Sequence, residues 1–348
     1  MTTTASDSRY DRPEGWFRRC GASGLRLPAV SLGCWHNFGG YEHASAGFGN
    51  DADHHDNCRA MLFTAFDHGV THFDFANNYG PPPGSAEARV GRILKEDLSA
   101  YRDELVISSK AGYGMWPGPY GNGGSRKYLI ASCDQSLRRL KLEYVDIFYH
   151  HRPDPDTPVE ETMEALDHLV RSGKALYTGV SNYPPETLRK ALAACEANGW
   201  TKPVIHQPKY NLLDRKPEAE GLFGALAEAG MGSICFSPLQ QGLLTGKYLD
   251  ADPEDSRRHA GSGGVDDDWL KGERLAKLRR LRDLAEANGH TPVTFALAWA
   301  IREGACTSAL IGASRPGQIE EAVRVLDRGA LPGEVAAEAL TILYGEDV

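Results

Sequence analysis

The chain has 348 residues, and 38 Lys and Arg stand against 47 Asp and Glu, for a formal charge of −9. Such a surface repels phosphate backbones and anionic bilayers, which argues against nucleic acid or a membrane as partner. The length suits one domain with a large core, and an eight-fold barrel of about 250 residues with insertions fits it well.

No stretch reaches the roughly 20 apolar residues of a membrane helix, and the opening MTTTASDSRYDRPEGW lacks the apolar centre of a signal peptide. A soluble cytoplasmic protein is expected, with residues 1–15 as a flexible tail on a single domain spanning 1–348. The seven cysteines are scattered without CxxC spacing, so they read as reduced core residues rather than a disulfide framework.

In chain order, FRRCGASGLRLPAV comes first and reads as a β-hairpin turning at Ser23 and Gly24, suited to plugging a barrel's bottom. Eight apolar runs rich in β-branched and aromatic residues follow: PAVSLGCW, VTHFDFA, ELVISSK, VDIFYHH, ALYTGVSN, PVIHQPKYN, GSICFSPL and SALIGAS. Between them lie helical patterns, with Ile130, Cys133, Leu137 and Leu140 on one face and Val159, Met163, Leu166 and Val170 on another. Eight βα repeats predict an α/β fold, a closed parallel (β/α)8 TIM barrel. A doubly wound nucleotide fold is disfavoured because the first run enters GCWHNFGGYEH, which lacks GxGxxG spacing. Two polar, glycine-rich stretches, GGYEHASAGFGNDADHHD after the first run and LDADPEDSRRHAGSGGVDDDW after the seventh, are expected as long loops on the functional face.

Three runs end on groups that do not belong in an apolar strand unless several such ends converge: Asp74, Lys110 and the pair His150–His151, with Tyr79 five residues beyond Asp74. Tyrosine ionises near pH 10, so using it as an acid calls for a cation nearby; Lys110 can supply one, and Asp74 can keep that lysine charged. A histidine at the next strand end can hold a carbonyl oxygen. Strand alternation sends only one of His150 and His151 inward. The DADHHD segment at 51–56 lacks metal-site spacing and reads as a solvated loop, so no metal is expected. No GxSxG elbow supports acyl transfer.

The ordered set DFANNYG, the lysine of ELVISSK, HRPD, GVSN, QPKYNLL, FSPLQQGLLTGKY and IGASR resembles the aldo-keto reductase superfamily over roughly residues 17–327. The runs CGASGLRLPAVSLGCWHNFG, FANNYGPPPGSAE, YRDELVISSKAGYGMWPGPYGNGGSRKYL and SLRRLKLEYVDIFYHHR are similar to its bacterial L-glyceraldehyde 3-phosphate reductase branch, akin to potassium-channel β-subunits. The resemblance implies a barrel that binds NADPH/NADP+ without a Rossmann domain, and a tetrad of Asp74, Tyr79, Lys110 and His151, the histidine that precedes Arg152. It implies reduction of small aldehydes such as glyceraldehyde 3-phosphate or methylglyoxal, with Tyr79 as general acid. The alternative it leaves is an NADP(H)-binding regulatory subunit with little turnover. A homo-oligomer of four or more copies is a further expectation.

Cofactor residues carry over by motif. Ser181, Asn182 and Gln207 would orient a nicotinamide carboxamide and Phe236 would stack on its ring. Ser237, Pro238 and Leu239, with Gly242, Lys247 and Arg257, would hold the pyrophosphate. Gly312, Ser314 and Arg315 would meet the 2′-phosphate at a helix start, and Gln318 and Glu321 the adenine, where Ala322 replaces the family's frequent Asn. Trp35, Tyr113 and Trp116 are expected as an aromatic substrate wall, and Arg126 or Lys127 as possible partners of a substrate phosphate.

Overall fold

A computed structural model describes residues 7–250 and 266–345. The N-terminal hairpin pairs β1 (Phe17–Arg19) with β2 (Arg26–Pro28), closed by the Ser23 hydroxyl donating to the Cys20 carbonyl at 2.6 Å. Eight parallel strands follow: β3 (Val30–Gly33), β4 (His72–Asp74), β5 (Val106–Ala111), β6 (Val145–His150), β7 (Ala175–Ser181), β8 (Ile205–Gln207), β9 (Gly232–Phe236) and β10 (Ser308–Ile311). They hydrogen-bond in sequence order, and β10 closes on β3. All eight apolar runs are barrel strands.

Around them run α1 (Asp51–Asp67), α2 (Ser85–Glu96), α3 (Arg126–Leu140), α4 (Val159–Arg171), α5 (Pro185–Asn198), the short α6 (Lys216–Ala219) and α7 (Leu222–Glu228), then α8 (Gly272–Ala287), α9 (Pro292–Ala300), α10 (Pro316–Ala322) and α11 (Gly333–Tyr344). The α3 stripe buries Cys133, Leu137 and Leu140 as expected, while Ile130 is only half-buried. On α4 the buried stripe is Met163, Leu166 and Leu169, while Val170 lies at its margin.

The period of two sorts each strand into an inward and an outward set. Cys20, Leu25 and Leu27 of the hairpin cluster with inward Ile147, Tyr149, Ile205, Ile234 and Leu310, so the hairpin seals the N-terminal end of the barrel. Close approach is built in: a side-chain carbon on Gly232 would lie 2.4 Å from Cys20 Sγ. All seven cysteines are free and buried.

Two expectations need correction. The DADHHD segment is the first turn and a half of α1, not a loop: the Asn50 side chain caps it by accepting from the Asp53 amide at 3.0 Å, and Asp51 and Asp53 suit the positive end of the helix. Its histidines diverge, His54 bonding the Asn37 carbonyl at 2.8 Å and His55 meeting Arg92 at 2.9 Å. Within the expected tail at 1–15, Asp7–Tyr10 forms a short 3-10 turn pinned at Arg9, which is buried, pairs with Glu104 and lies 4.5 Å over the Phe66 ring, while Asp7, Ser8, Tyr10, Asp11, Glu14 and Gly15 stay exposed. Residues 1–6 and most of the second long loop lie outside the described residues. No helix among the described residues is long and apolar enough to cross a membrane.

Candidate active site

The C-terminal strand ends open into a cavity of about 760 Å³. Asp74, Tyr79, Tyr113 and His151 line it, and so do Arg315, Gln318 and Glu321. The register accounts for the first group. Asp74 ends β4 opposite Ser108 of β5, and Lys110 follows two residues later on the same inward side.

Asp74 and Lys110 are completely buried and form an ion pair. The lysine also donates to the Phe75 carbonyl at 2.6 Å, while Asp74 accepts from Ser108 at 2.6 Å and from Gln207 at 3.3 Å. Burial pulls the Lys110 pKa below the ordinary lysine value, and the Asp74 charge opposes that pull. A buried ammonium survives only with such partners.

Tyr79 sits in the turn after β4, its ring centroid 5.2 Å from Lys110 Nζ. Its hydroxyl bonds to no described residue. Burial raises its pKa well above that of free tyrosine, and the Asp74 charge adds to the rise. Tyr79 is held as the neutral phenol.

His151 follows β6 and faces the cavity, whereas His150 points outward and bonds the Tyr183 hydroxyl at 2.7 Å. The His151 ring meets Tyr113 edge-on at 4.6 Å and Tyr79 at 6.0 Å between centroids. Its Nδ1 is buried without a partner among the described residues, leaving Nε2 as the nitrogen open to the cavity. Burial, then the positive charge of Lys110, holds its pKa well below the usual histidine value.

Of the expected cofactor residues, Asn182, Gln207, Phe236, Ser237, Pro238, Leu239, Gly242, Lys247, Gly312, Ser314, Arg315, Gln318 and Glu321 line this cavity. Ser181 stands just behind it, donating to the Gln207 carbonyl at 2.8 Å and accepting from the Asn182 amide at 3.1 Å. Arg257 lies outside the described residues. Ala322 is in the wall as expected.

Three of the five non-glycine residues with positive φ among the described residues line the cavity: Asn182, Ser237 and Gln241. Such backbone costs energy and gathers at ligand sites, where it turns successive N–H groups toward an anion. Gly242 continues the run at φ 96°, and a side-chain carbon there would lie 2.8 Å from Lys247 Cε, so glycine lets the lysine stem cross the loop. The chemistry of this lining fits a dinucleotide phosphate. The helix expected to open at Gly312 begins at Pro316, and the Ser314 amide is capped by the Gln318 side chain at 2.7 Å.

The aromatic wall is two residues rather than three. Trp35 and Tyr113 line the cavity, but Trp116 turns away onto Tyr128, 5.1 Å between centroids. Arg126 pairs with Glu164 at the start of α3, and Lys127 lies 5.2 Å over Tyr120; neither lines the cavity. Sequence reasoning missed His36, Asn37, Ser45 and Asn78, polar wall residues whose neighbours Trp35 and Tyr79 were the available signal.

The sequence has known relatives over nearly its whole length. The profile of the Aldo/keto reductase family matches residues 29–341. The chain is 52% identical to the L-glyceraldehyde 3-phosphate reductase of Escherichia coli O157:H7 over 97% of this chain and 94% of that protein. With the protein of that name from strain K12 it shares 53% identity, over 94% and 91% respectively. It is 36% identical to a putative voltage-gated potassium channel subunit beta of Schizosaccharomyces pombe, covering 89% and 88%. On the profile match, the closed barrel and these identities, the chain belongs to the aldo/keto reductase family and is an oxidoreductase.

Proposed function

We propose that this protein reduces small aldehydes to alcohols with NADPH, glyceraldehyde 3-phosphate and methylglyoxal being representative substrates. The observation that carries the reading is that Asp74, Tyr79 and His151 line the same cavity as Lys247 and Arg315. The relatives named as L-glyceraldehyde 3-phosphate reductases support the substrate class.

NADPH, when bound, would supply the hydride that the carbonyl carbon needs. The rest is done by side chains. Neutral His151 donates from Nε2 to the carbonyl oxygen and fixes its direction. The Tyr79 hydroxyl, kept protonated by burial, gives its proton to that oxygen as negative charge develops. Lys110 stabilises the resulting phenolate through space and Asp74 keeps the lysine charged. Gln207 and Asn182 would hold the carboxamide end of the cofactor, Phe236 would pack on its ring, and Arg315 would pair with the 2′-phosphate.

The test is NADPH oxidation, with NADH as control, against phosphorylated and unphosphorylated short aldehydes. Turnover with NADPH and a preference for the phosphorylated members is expected. Tight NADP+ binding without turnover on any of them would instead support the regulatory-subunit reading, which the potassium-channel relative carries.

A further inference from the structure

Beneath the cavity floor, five side chains from four neighbouring strands form a continuous line. Ser308 Oγ of β10 lies 2.7 Å from Ser31 Oγ of β3, and Ser31 Oγ lies 2.9 Å from His72 Nδ1 of β4. His72 Nε2 is 2.9 Å from Ser108 Oγ of β5, and Ser108 reaches Asp74 Oδ1 at 2.6 Å. All five are completely buried. Their surfaces are closed to bulk solvent.

The polarity of this line follows from its last member. An ionised carboxylate only accepts hydrogen bonds, so the Ser108 proton points at Asp74. Ser108 then has only lone pairs to offer His72, and His72 Nε2 must carry the ring proton. A neutral imidazole has one such proton. Burial keeps this ring neutral, with its pKa pushed down to about 4. Nδ1 therefore accepts from Ser31, and the Ser31 oxygen accepts from Ser308. Every donor faces the same way.

We propose that this one-way line of hydrogen bonds orients the Asp74 carboxylate, presenting Oδ2 to Lys110, and that His72 and Ser108 are positioning residues for the reaction at Tyr79. Asp74 Oδ1 has one short donor, Ser108, and a longer one in Gln207 at 3.3 Å. Without Ser108 the carboxylate keeps only the longer Gln207 bond at Oδ1, so the partner of the lysine is held less firmly in direction. The line needs no exit to solvent because it transfers nothing; it holds a direction.

Two measurements test this, and only the second rests on the reductase reading. In histidine-15N-labelled wild-type protein at neutral pH, the His72 ring should be the Nε2–H tautomer. An Nδ1–H or doubly protonated ring would overturn the proposal whatever the protein's activity. In Ser108→Ala, kcat for aldehyde reduction should fall about tenfold, the worth of one hydrogen bond to a charged group. The NADP+ dissociation constant should change by less than about twofold, since uniform binding is untouched. Wild-type kcat in folded Ser108→Ala, or an equal loss of NADP+ binding, would overturn the positioning role. The spectroscopic arm needs no variant and so survives a Ser108→Ala that fails to fold.

Discussion

The ammonium of Lys110 is clamped between the Asp74 carboxylate and the Phe75 carbonyl, the latter at 2.6 Å, and stands 5.2 Å from the Tyr79 ring centroid. Removing one half of this pair strands a charge in a dry interior. Lys110→Met should lower stability by about 3–5 kcal/mol. Adding Asp74→Asn should restore much of it, while aldehyde reduction stays abolished in both. Urea unfolding of the two variants alongside steady-state rates separates these effects; additive destabilisation would argue against the pairing.

Tyr79→Phe keeps the ring against Trp35 and His151 but removes the only proton it can give. The reduction rate should fall about 100- to 10,000-fold. NADP+ binding, followed by fluorescence, should hardly change. Full turnover would remove Tyr79 from the role of acid.

The pH dependence of kcat follows from two displaced groups. His151 is held well below the usual histidine value and Tyr79 well above the tyrosine value. Both therefore keep one protonation state across the neutral range, and kcat should be flat from about pH 6.5 to about pH 9. An inflection near pH 6.5 that disappears in His151→Gln would show the histidine to titrate normally.

Stability should respond to acid in a definite direction. Burial pushes His72, His150 and His206 down to about 4 in the folded protein. Unfolded chains protonate these rings below about pH 6.5, so between there and pH 4 the unfolded state binds more protons and stability falls as pH falls. The urea midpoint should drop through that window, with up to about three protons taken up on unfolding from these rings alone. A midpoint constant from pH 7 to 5 would contradict their neutral burial.

Arg315 lines the same cavity as Tyr79. Its fork suits a phosphate monoester, so Arg315→Ala should raise the KM for NADPH about tenfold or more and leave that for NADH nearly unchanged. Equal losses for both cofactors would place Arg315 elsewhere on the dinucleotide.

The order and number of the strands were legible from the chain alone, because eight short apolar runs separated by 3.6-period segments have few ways to bury their faces. The same period of two that turns His151 inward and His150 outward could have disclosed the buried line: His72 stands two residues before Asp74, Ser108 two before Lys110, and Ser31 two before Gly33. Asn50 followed by Asp51 and Asp53 was likewise a readable cap, obscured by the polarity of the segment it starts.

Other features depend on distances that no local pattern encodes. Trp116 and Tyr113 lie three residues apart in one loop, yet only Tyr113 faces His151, because Trp116 finds Tyr128 of α3. The upward shift of Tyr79 is similar, since desolvation depends on what is packed around a group. Residue types and their spacing thus determined the barrel and the chemistry available at its strand ends. The closing of the barrel decided which groups lost water and which hydrogen-bond donor each acceptor could find, because those depend on strands far apart in the chain meeting side by side.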